Sequence, residues 1–182
     1  MSNLSYAIFG GSFDPPHLGH KEIIKESLKI ADKIIVVPTF LNPFKKSFKI
    51  PPQKRLELVK KSLADMNNII ISDFEIKNNR PTYTIETFEE LSKNYNIKYI
   101  IIGADNLKDI TKWKDFNTLN SKITWLVAKR ANQNLDCSPL KCYNILDINM
   151  DISSTEIREG KKLEYIDKKI RDEVINEYKL RK

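Results

Sequence analysis

Short runs of apolar residues alternate along the chain with longer stretches in which apolar residues recur at helical spacing. The short runs are rich in isoleucine and valine and are typical of buried strands. They lie at residues 5–9, 33–38, 69–72, 97–102, 123–128 and 143–148, the last being the weakest. Because these runs are continuously apolar rather than alternating, both faces of each strand are expected to be covered, as in parallel sheets.

The longer stretches predict amphipathic helices between these strands. In the first of them, apolar residues from Leu18 to Leu28 recur at helical spacing, and a proline pair opens the second, where the missing N–H costs little. Helices are predicted at residues 18–31, 51–66 and 84–95, and in the tail from Ser153. The pattern predicts an α/β fold in one domain: a Rossmann-like doubly wound parallel sheet over residues 1–150 and a C-terminal helical segment over residues 151–182.

Composition narrows the functional classes. The chain has 182 residues, of which 41% are hydrophobic, enough for one sizeable core. It has no apolar run of the ~18 residues that a membrane span needs, and no signal-peptide pattern at its start, so a cytoplasmic protein is expected. The net charge of +7 comes mainly from lysines interspersed with acids, which favours a polyphosphate substrate over a nucleic-acid partner. Cys137 and Cys142 are too few for a structural zinc site and are expected to be free thiols.

The stretch "GGSFDPPHLGH" at residues 10–20 follows the first predicted strand and holds both histidines and three of the five glycines. Ligands of such sheets bind beyond the carboxyl ends of the strands. Gly10 and Gly11 let the backbone turn and approach a ligand, and the following helix points its free N–H groups at the same place. His17 and His20, three residues apart, share one helix face and can donate to phosphate. The stretch therefore predicts a phosphate site; the alternative is a helix start without function.

A second motif, "ISSTEIR" at residues 152–158, also predicts a helix start. Ser153 and Glu156 have the spacing of a capping box. This leaves the hydroxyls of Ser154 and Thr155 free for an anion, with Arg158 as a charge-assisted donor. Capping alone is the simpler alternative.

Together, the two motifs resemble the GxFxPxHxGH and ISSTxIR signatures of the nucleotidyltransferase superfamily. Within it, "PTYTIET" (81–87), "IGADN" (102–106) and Trp113 resemble the bacterial nicotinate-nucleotide adenylyltransferases, which make deamido-NAD and pyrophosphate from ATP and nicotinate mononucleotide. The resemblance extends from Ala7 to Arg158. It is weakest in "TFLNPFKK" (39–46), where many members carry a histidine before the lysine, and in "KRANQNLD" (129–136), which lacks the usual proline and glycine.

The resemblance implies a set of site residues and Mg²⁺ bound with ATP, but no protein metal site. The implied catalytic residues are His17, His20 and Lys45, with Lys46 as the alternative lysine. ATP would contact Gly10, Gly11, Ser12, Phe13, His17, His20, Gly103, Asp105, Arg130, Ser153, Ser154, Thr155 and Arg158. Nicotinate mononucleotide would contact Asn42, Tyr83, Thr84 and Trp113. Other roles stay open for some of these: the lysines as surface residues, Asp105 as a helix cap, and Trp113 as a packing anchor, whereas Trp125 is expected in the core.

The expected reaction is an in-line attack by the mononucleotide phosphate on the α-phosphorus of ATP. The nucleophile is already an anion, so catalysis needs positioning and charge stabilisation rather than a general base. A helix start near Thr84 suits the carboxylate of nicotinate better than the amide of nicotinamide. Two alternatives are a phosphopantetheine adenylyltransferase and a nucleotide-binding regulator without chemistry. Neither a nucleic acid nor a membrane is an expected partner, and a homo-oligomer is compatible with the sequence.

Overall fold

Parallel strands form one central sheet in the computed structural model, which describes residues 3–41, 47–130 and 135–180. In chain order the strands of this sheet are β1 (Tyr6–Gly11), β2 (Lys33–Pro38), β3 (Ile69–Ile71), β4 (Ile97–Gly103), β5 (Thr124–Arg130) and β6 (Tyr143–Ile148). Their spatial order is β3-β2-β1-β4-β5-β6, and every neighbouring pair is parallel. The strand order reverses between β1 and β4, so a ligand crevice is expected beyond their carboxyl ends.

Both faces of the sheet are buried, as the continuous apolar runs predict. Ile8 pairs in register with Ile35 on one side and with Ile100 on the other, and all three belong to a core cluster on one face. Their sequence neighbours Phe9 and Ile101 belong to a second cluster on the opposite face. The side-chain period of two along a strand therefore supplies both cores, and the α/β Rossmann-like fold class is confirmed.

Helices cover these two faces. They are α1 (Leu18–Ser27), α2 (Pro52–Ser62), α3 (Phe74–Lys77), α4 (Thr84–Ser92), α5 (Phe116–Lys122), α6 (Ser154–Arg158) and α7 (Arg171–Glu177), with 3-10 helices at Ala104–Lys112 and Leu163–Tyr165. The helices predicted before Ser153 are present, each ending a few residues early. The short α3 and α5 and the first 3-10 helix were not predicted, because so few turns leave little periodic signal.

The predicted C-terminal helical segment is present, but as three short helical elements rather than one helix. The helix that begins after Ser153 ends at Arg158. Two residues later, Gly160 takes a positive φ of 77°. The N–H of Gly160 donates to the carbonyl of Ile157, and that of Lys161 to the carbonyl of Glu156, which is a Schellman end. The chain then folds back, and a third core cluster joins this segment to α2 through Leu58, Ile157, Val174 and other apolar residues.

Three further expectations concern single features. Trp125 is fully buried, as predicted for a core residue. Cys137 and Cys142 are both free thiols. In the described ranges, no helix is long and apolar enough to cross a membrane.

Candidate active site

Two adjoining cavities open where the strand order reverses, at the carboxyl ends of β1 and β4. Gly10, Gly11 and Gly103 line both of them. We call them the histidine cavity and the α4 cavity. The histidine cavity is also lined by His17, Gly19, His20, Asp105, Arg130, Ser153 and Ser154. The α4 cavity is also lined by Ser12, Thr39, Glu75, Thr82, Tyr83, Thr84, Thr87, Asn106, Trp113 and Lys114.

The start of α1 brings the two histidines together in the histidine cavity. His17 is the N-cap residue and His20 lies in the first turn, with their rings stacked at a centroid distance of 3.7 Å. The backbone N–H of His17 donates to Nδ1 of His20 over 3.1 Å. Between them, a Cβ on Gly19 would stand 2.7 Å from Cγ2 of Ile152 and 3.0 Å from Nδ1 of His17. Glycine is therefore required here for the second motif to pack against the first.

Both histidines are neutral over the physiological pH range. Burial, together with the positive charge of Arg130, lowers the pKa of His20 to about 3. Burial first, and then His20 and Arg130, also holds the pKa of His17 well below its ordinary value. Because Nδ1 of His20 accepts a hydrogen bond, the proton of its neutral ring is on Nε2. The His20 ring therefore offers a fixed, uncharged N–H donor.

The ring of Phe13 packs against the His20 ring. The Phe13 ring is buried, packs edge-on against Phe9 at 5.5 Å and lies tilted against the His20 ring at 4.9 Å. Phe13 was predicted to contact ATP, but its side chain lines neither cavity. The structure thus places Phe13 in the core, in contact with the His20 ring.

The second motif fixes the loop between β1 and α1. The hydroxyl of Ser153 accepts from the N–H of Glu156 over 3.2 Å and donates to its carboxylate over 2.9 Å, so the predicted capping box is present. Ser154 and Thr155 were predicted to have free hydroxyls; the Ser154 hydroxyl is engaged as a donor, and the Thr155 oxygen is engaged as an acceptor. Ser154 donates to the carbonyl of Pro15 over 2.9 Å, and Thr155 accepts from Arg158 over 2.9 Å.

The guanidinium of Arg158 points at the same loop. It donates to the carbonyl of Asp14 over 2.5 Å. Ser153 and Ser154 line the histidine cavity, whereas Thr155 and Arg158 do not. The motif therefore reaches the cavity at its first residues and holds the β1–α1 loop with its last ones.

Charged residues at the ends of β4 and β5 complete the histidine cavity. Asp105 lies two residues after Gly103 in the first 3-10 helix, and Arg130 is the last residue of β5. Their side chains approach to 3.6 Å at the rim. Arg130 is a positive group close enough to the histidines to lower their pKa values. It therefore supplies the charge that the neutral imidazoles do not.

The α4 cavity contains the predicted mononucleotide residues that the structure describes. Thr84 is the first residue of α4, and Tyr83 precedes it with its ring 5.0 Å from Nζ of Lys114. The N–H of Tyr83 is occupied, since it donates to the carboxylate of Glu86 over 2.8 Å. Trp113 packs edge-on against buried Trp125 at 6.1 Å while it lines the cavity, so it both packs on the core and presents a ring to the site.

Three predicted residues and the possibility of a metal site remain to be considered. Asn42, Lys45 and Lys46 lie outside the described residues. Among those that the structure describes, no group of three or more His, Cys, Asp or Glu side chains could hold a metal ion.

Sequence reasoning missed a buried set of polar residues behind the site. Arg55 is fully buried, and its guanidinium donates to the carbonyls of Ser12, Thr39 and Phe40 over 2.5–2.9 Å. It thereby ties the loop after β1 to the loop after β2. In sequence, Arg55 is one of many basic residues in an amphipathic helix, and nothing local distinguishes it.

Asp14 is the second member of this buried set. Its carboxylate accepts from the hydroxyl of Tyr178 over 2.6 Å and from the N–H of Lys49 over 3.1 Å. Tyr178 lies just after α7, so the C-terminal segment is bonded directly to the β1–α1 loop. The partners are 164 positions apart, which is why no sequence pattern reveals them.

Glu75 is the third missed residue. It lies on α3, is 5% exposed and lines the α4 cavity. One carboxyl oxygen, Oε1, accepts from the hydroxyl of Thr87 over 2.7 Å. The other, Oε2, is buried and has no hydrogen-bond partner in the described part of the chain.

Comparisons with known proteins identify the family. Residues 8–160 match the model of the cytidylyltransferase-like family. A relative from Sulfurovum sp. (strain NBC37-1), named a probable nicotinate-nucleotide adenylyltransferase, is 43% identical over 176 residues, covering 96% of this chain and 94% of the relative. A relative of the same name from a Nitratiruptor species is 41% identical over 180 residues, covering 97% of this chain and 99% of the relative.

Solved structures show the same fold. The nicotinic acid mononucleotide adenylyltransferase of Plasmodium falciparum, solved with NaAD, matches with a TM-score of 0.80 at 22% identity, over 98% of this chain and 97% of that one. The same enzyme solved with APC gives a TM-score of 0.75. The family match and the identity to relatives over nearly the whole chain together show that this protein belongs to the cytidylyltransferase-like family and, within it, to the nicotinate-nucleotide adenylyltransferases.

Proposed function

We propose that this protein transfers the adenylyl group of ATP to nicotinate mononucleotide, giving deamido-NAD and pyrophosphate. The observation that carries this proposal is that Gly10, Gly11 and Gly103 line both cavities. Two nucleotides bound in the two cavities would meet over these glycines, where no side chain separates their phosphates. A Cβ on Gly10 would have no heavy atom within 4 Å, so the space above it is open.

The reaction is a single displacement. An oxygen of the mononucleotide phosphate attacks the α-phosphorus of ATP, the bond from that phosphorus to the bridging oxygen of the β-phosphate breaks, and pyrophosphate leaves. The attacking oxygen is already ionised, so no side chain has to remove a proton from it. The protein contributes positioning and stabilisation of the negative charge on the transferring and leaving groups.

The histidine cavity is suited to the triphosphate. Neutral His20 donates from Nε2, the start of α1 adds backbone N–H donors, and Arg130 adds a positive charge. A neutral imidazole donor does not lose its function at alkaline pH, and it does not need a carboxylate partner to hold it in place. Ser153 and Ser154 also line this cavity, and Ser154 is bonded to the carbonyl of Pro15 just before the histidines.

Magnesium enters this scheme with the substrate. We infer that Mg²⁺ is held by the phosphates of ATP and by water, because Mg²⁺ keeps several waters and accepts phosphate ligands readily. Among the described residues, Asp105 is the only carboxylate that lines the histidine cavity, and it pairs with Arg130.

The α4 cavity is suited to the pyridine end of the mononucleotide. Thr84 offers a hydroxyl and a first-turn N–H of a nine-residue helix, and Trp113 offers a ring to the pyridine. The positive end of α4 favours the carboxylate of nicotinate over the neutral amide of nicotinamide. These features also favour this acceptor over phosphopantetheine, which has no ring to stack.

An acceptor panel tests the proposal. The protein is incubated with Mg-ATP and, separately, with nicotinate mononucleotide, nicotinamide mononucleotide or phosphopantetheine, and pyrophosphate and the adenylylated product are measured. We expect the highest kcat/KM with nicotinate mononucleotide. A preference for phosphopantetheine, or ATP binding without pyrophosphate release from any acceptor, would reject it.

A further inference from the structure

A buried glutamate lines the α4 cavity, which is proposed to bind the pyridine ring of nicotinate and its carboxylate. Glu75 is 5% exposed, and Thr82, Thr84 and Thr87 line the same cavity. The hydroxyl of Thr87 satisfies Oε1, whereas Oε2 has no partner in the described residues. A buried polar atom without a partner costs free energy, and an ionised carboxylate costs much more than a neutral acid. Nothing in the fold itself explains why this position carries a carboxyl group.

The charged groups around Glu75 do not stabilise its ionised form. Glu86 on α4 is a second acid, and its carboxylate forms an ion pair with Arg80 at 2.7 Å. From the cavity wall, Lys114 lies over the ring of Tyr83 rather than on Glu75. On α3 itself, Lys77 pairs with Asp73. The strand behind α3, β2, has only Lys33 as a titratable residue, at its opposite end.

Burial is the main cause that raises the pKa of Glu75 to about 7. The nearby Glu86 acts in the same direction, and the hydrogen bond from Thr87 opposes it. At and below neutral pH, a large share of the molecules therefore carries a carboxylic acid at this position, with one O–H donor to place.

We propose that Glu75 is a specificity-determining residue of the acceptor site, whose carboxylic acid donates a hydrogen bond to the carboxylate of nicotinate. The inference rests on the proposed function, because it takes the α4 cavity as the pyridine site. A hydrogen bond from O–H to an ionised oxygen is about twice as strong as one between neutral groups. Nicotinamide offers only a neutral carbonyl to the same donor and is bound less well.

The ionised form of Glu75 reverses this preference. Its carboxylate repels the carboxylate of nicotinate and accepts a hydrogen bond from the NH₂ of nicotinamide. Selectivity for nicotinate therefore falls as the pH rises through the range in which Glu75 ionises. The mononucleotide phosphates ionise alike in both substrates, so their titration cancels in the ratio of the two kcat/KM values.

The experiment measures this ratio, nicotinate over nicotinamide mononucleotide, from about pH 6 to about pH 9. For the unaltered protein we expect the ratio to fall by about tenfold or more, since each pH unit above the pKa removes about a factor of ten of the acid form. Glu75→Gln keeps an N–H donor and the acceptor for Thr87 but cannot ionise. It is expected to hold the ratio constant within about twofold across the same range.

Two further variants separate this role from a structural one. Glu89→Gln removes an exposed carboxylate from α4 and should reproduce the pH dependence of the unaltered protein. Thr87→Val removes the hydrogen bond that lowers the pKa of Glu75, so the fall in the ratio should move to higher pH. Thermal unfolding of each variant shows whether it is folded.

The outcomes distinguish the two proposals. A strong preference for nicotinate mononucleotide that does not change with pH, or a Glu75→Gln protein with the pH dependence of the unaltered one, overturns the role of Glu75 and leaves the proposed function intact. No use of nicotinate mononucleotide by the unaltered protein overturns the proposed function itself.

Discussion

The buried, neutral state of His20 makes the stability of this protein sensitive to acid. His20 has a pKa of about 3 in the folded protein and about 6.5 in the unfolded chain. As the pH falls below 6.5 the unfolded chain takes up a proton that the folded protein cannot, so stability is lost between pH 6.5 and pH 3. Between pH 7 and pH 5 this histidine alone is expected to lower the free energy of unfolding by about 2 kcal/mol, at about 1.4 kcal/mol per pH unit.

His20→Gln isolates this contribution. The glutamine side-chain oxygen can still accept from the backbone N–H of His17, which His20 does through Nδ1, but glutamine has no proton to gain. The measurement is urea unfolding of both proteins at pH 7 and pH 5. We expect the variant to lose about 2 kcal/mol less than the unaltered protein over this range. Losses that agree within about 0.5 kcal/mol would show that His20 is not buried and neutral, and would refute the reasoning.

Four other residues of the site and its supporting turns are tested by further substitutions. Gly10→Ala adds a methyl group over the open floor shared by the two cavities, so KM for ATP should rise at least about tenfold while the free energy of unfolding changes by less than about 1 kcal/mol. Gly19→Ala should instead destabilise the fold, because the added Cβ would stand 2.7 Å from Ile152. We expect the free energy of unfolding to fall by about 1–3 kcal/mol. The unaltered protein should prefer nicotinate over nicotinamide mononucleotide by at least about tenfold in kcat/KM. Thr84→Val removes a donor from the α4 cavity and should narrow this preference. Arg158→Ala frees the carbonyl of Asp14 and should mainly raise KM for ATP; a lower melting temperature with unchanged ATP dependence would leave the motif only a capping role.

The sheet and its crevice could be predicted because they depend on local patterns. A strand buried on both faces must be continuously apolar, and the glycines and histidines that follow β1 are scarce residues brought together in a short stretch. The resemblance carried by the two motifs also implied one shared ATP site, and residues more than 130 positions apart do meet there, as Ser154 and Pro15 show. What the motifs did not reveal is that a hydroxyl of the second motif is bonded to the backbone of the first.

The buried polar residues could not be predicted, because their role depends on tertiary contacts. Arg55 is one of several basic residues in α2, and its guanidinium is buried against three backbone carbonyls of two distant loops. Glu75 lies on a helix of four residues, too short for a periodic pattern to distinguish its buried face. A charged residue is expected on the surface unless its partners are known, and these partners are set by the fold.

The turnover number of His20→Ala tests most directly whether the β1–α1 turn stabilises the transition state. It is measured with saturating ATP and nicotinate mononucleotide at neutral pH, on protein shown by thermal unfolding to be folded. Losing a positioned donor to the transferring phosphates is expected to lower kcat by about 100-fold or more. A folded His20→Ala protein with near-normal kcat would contradict the account, because the histidine cavity would then not be where the reaction is catalysed.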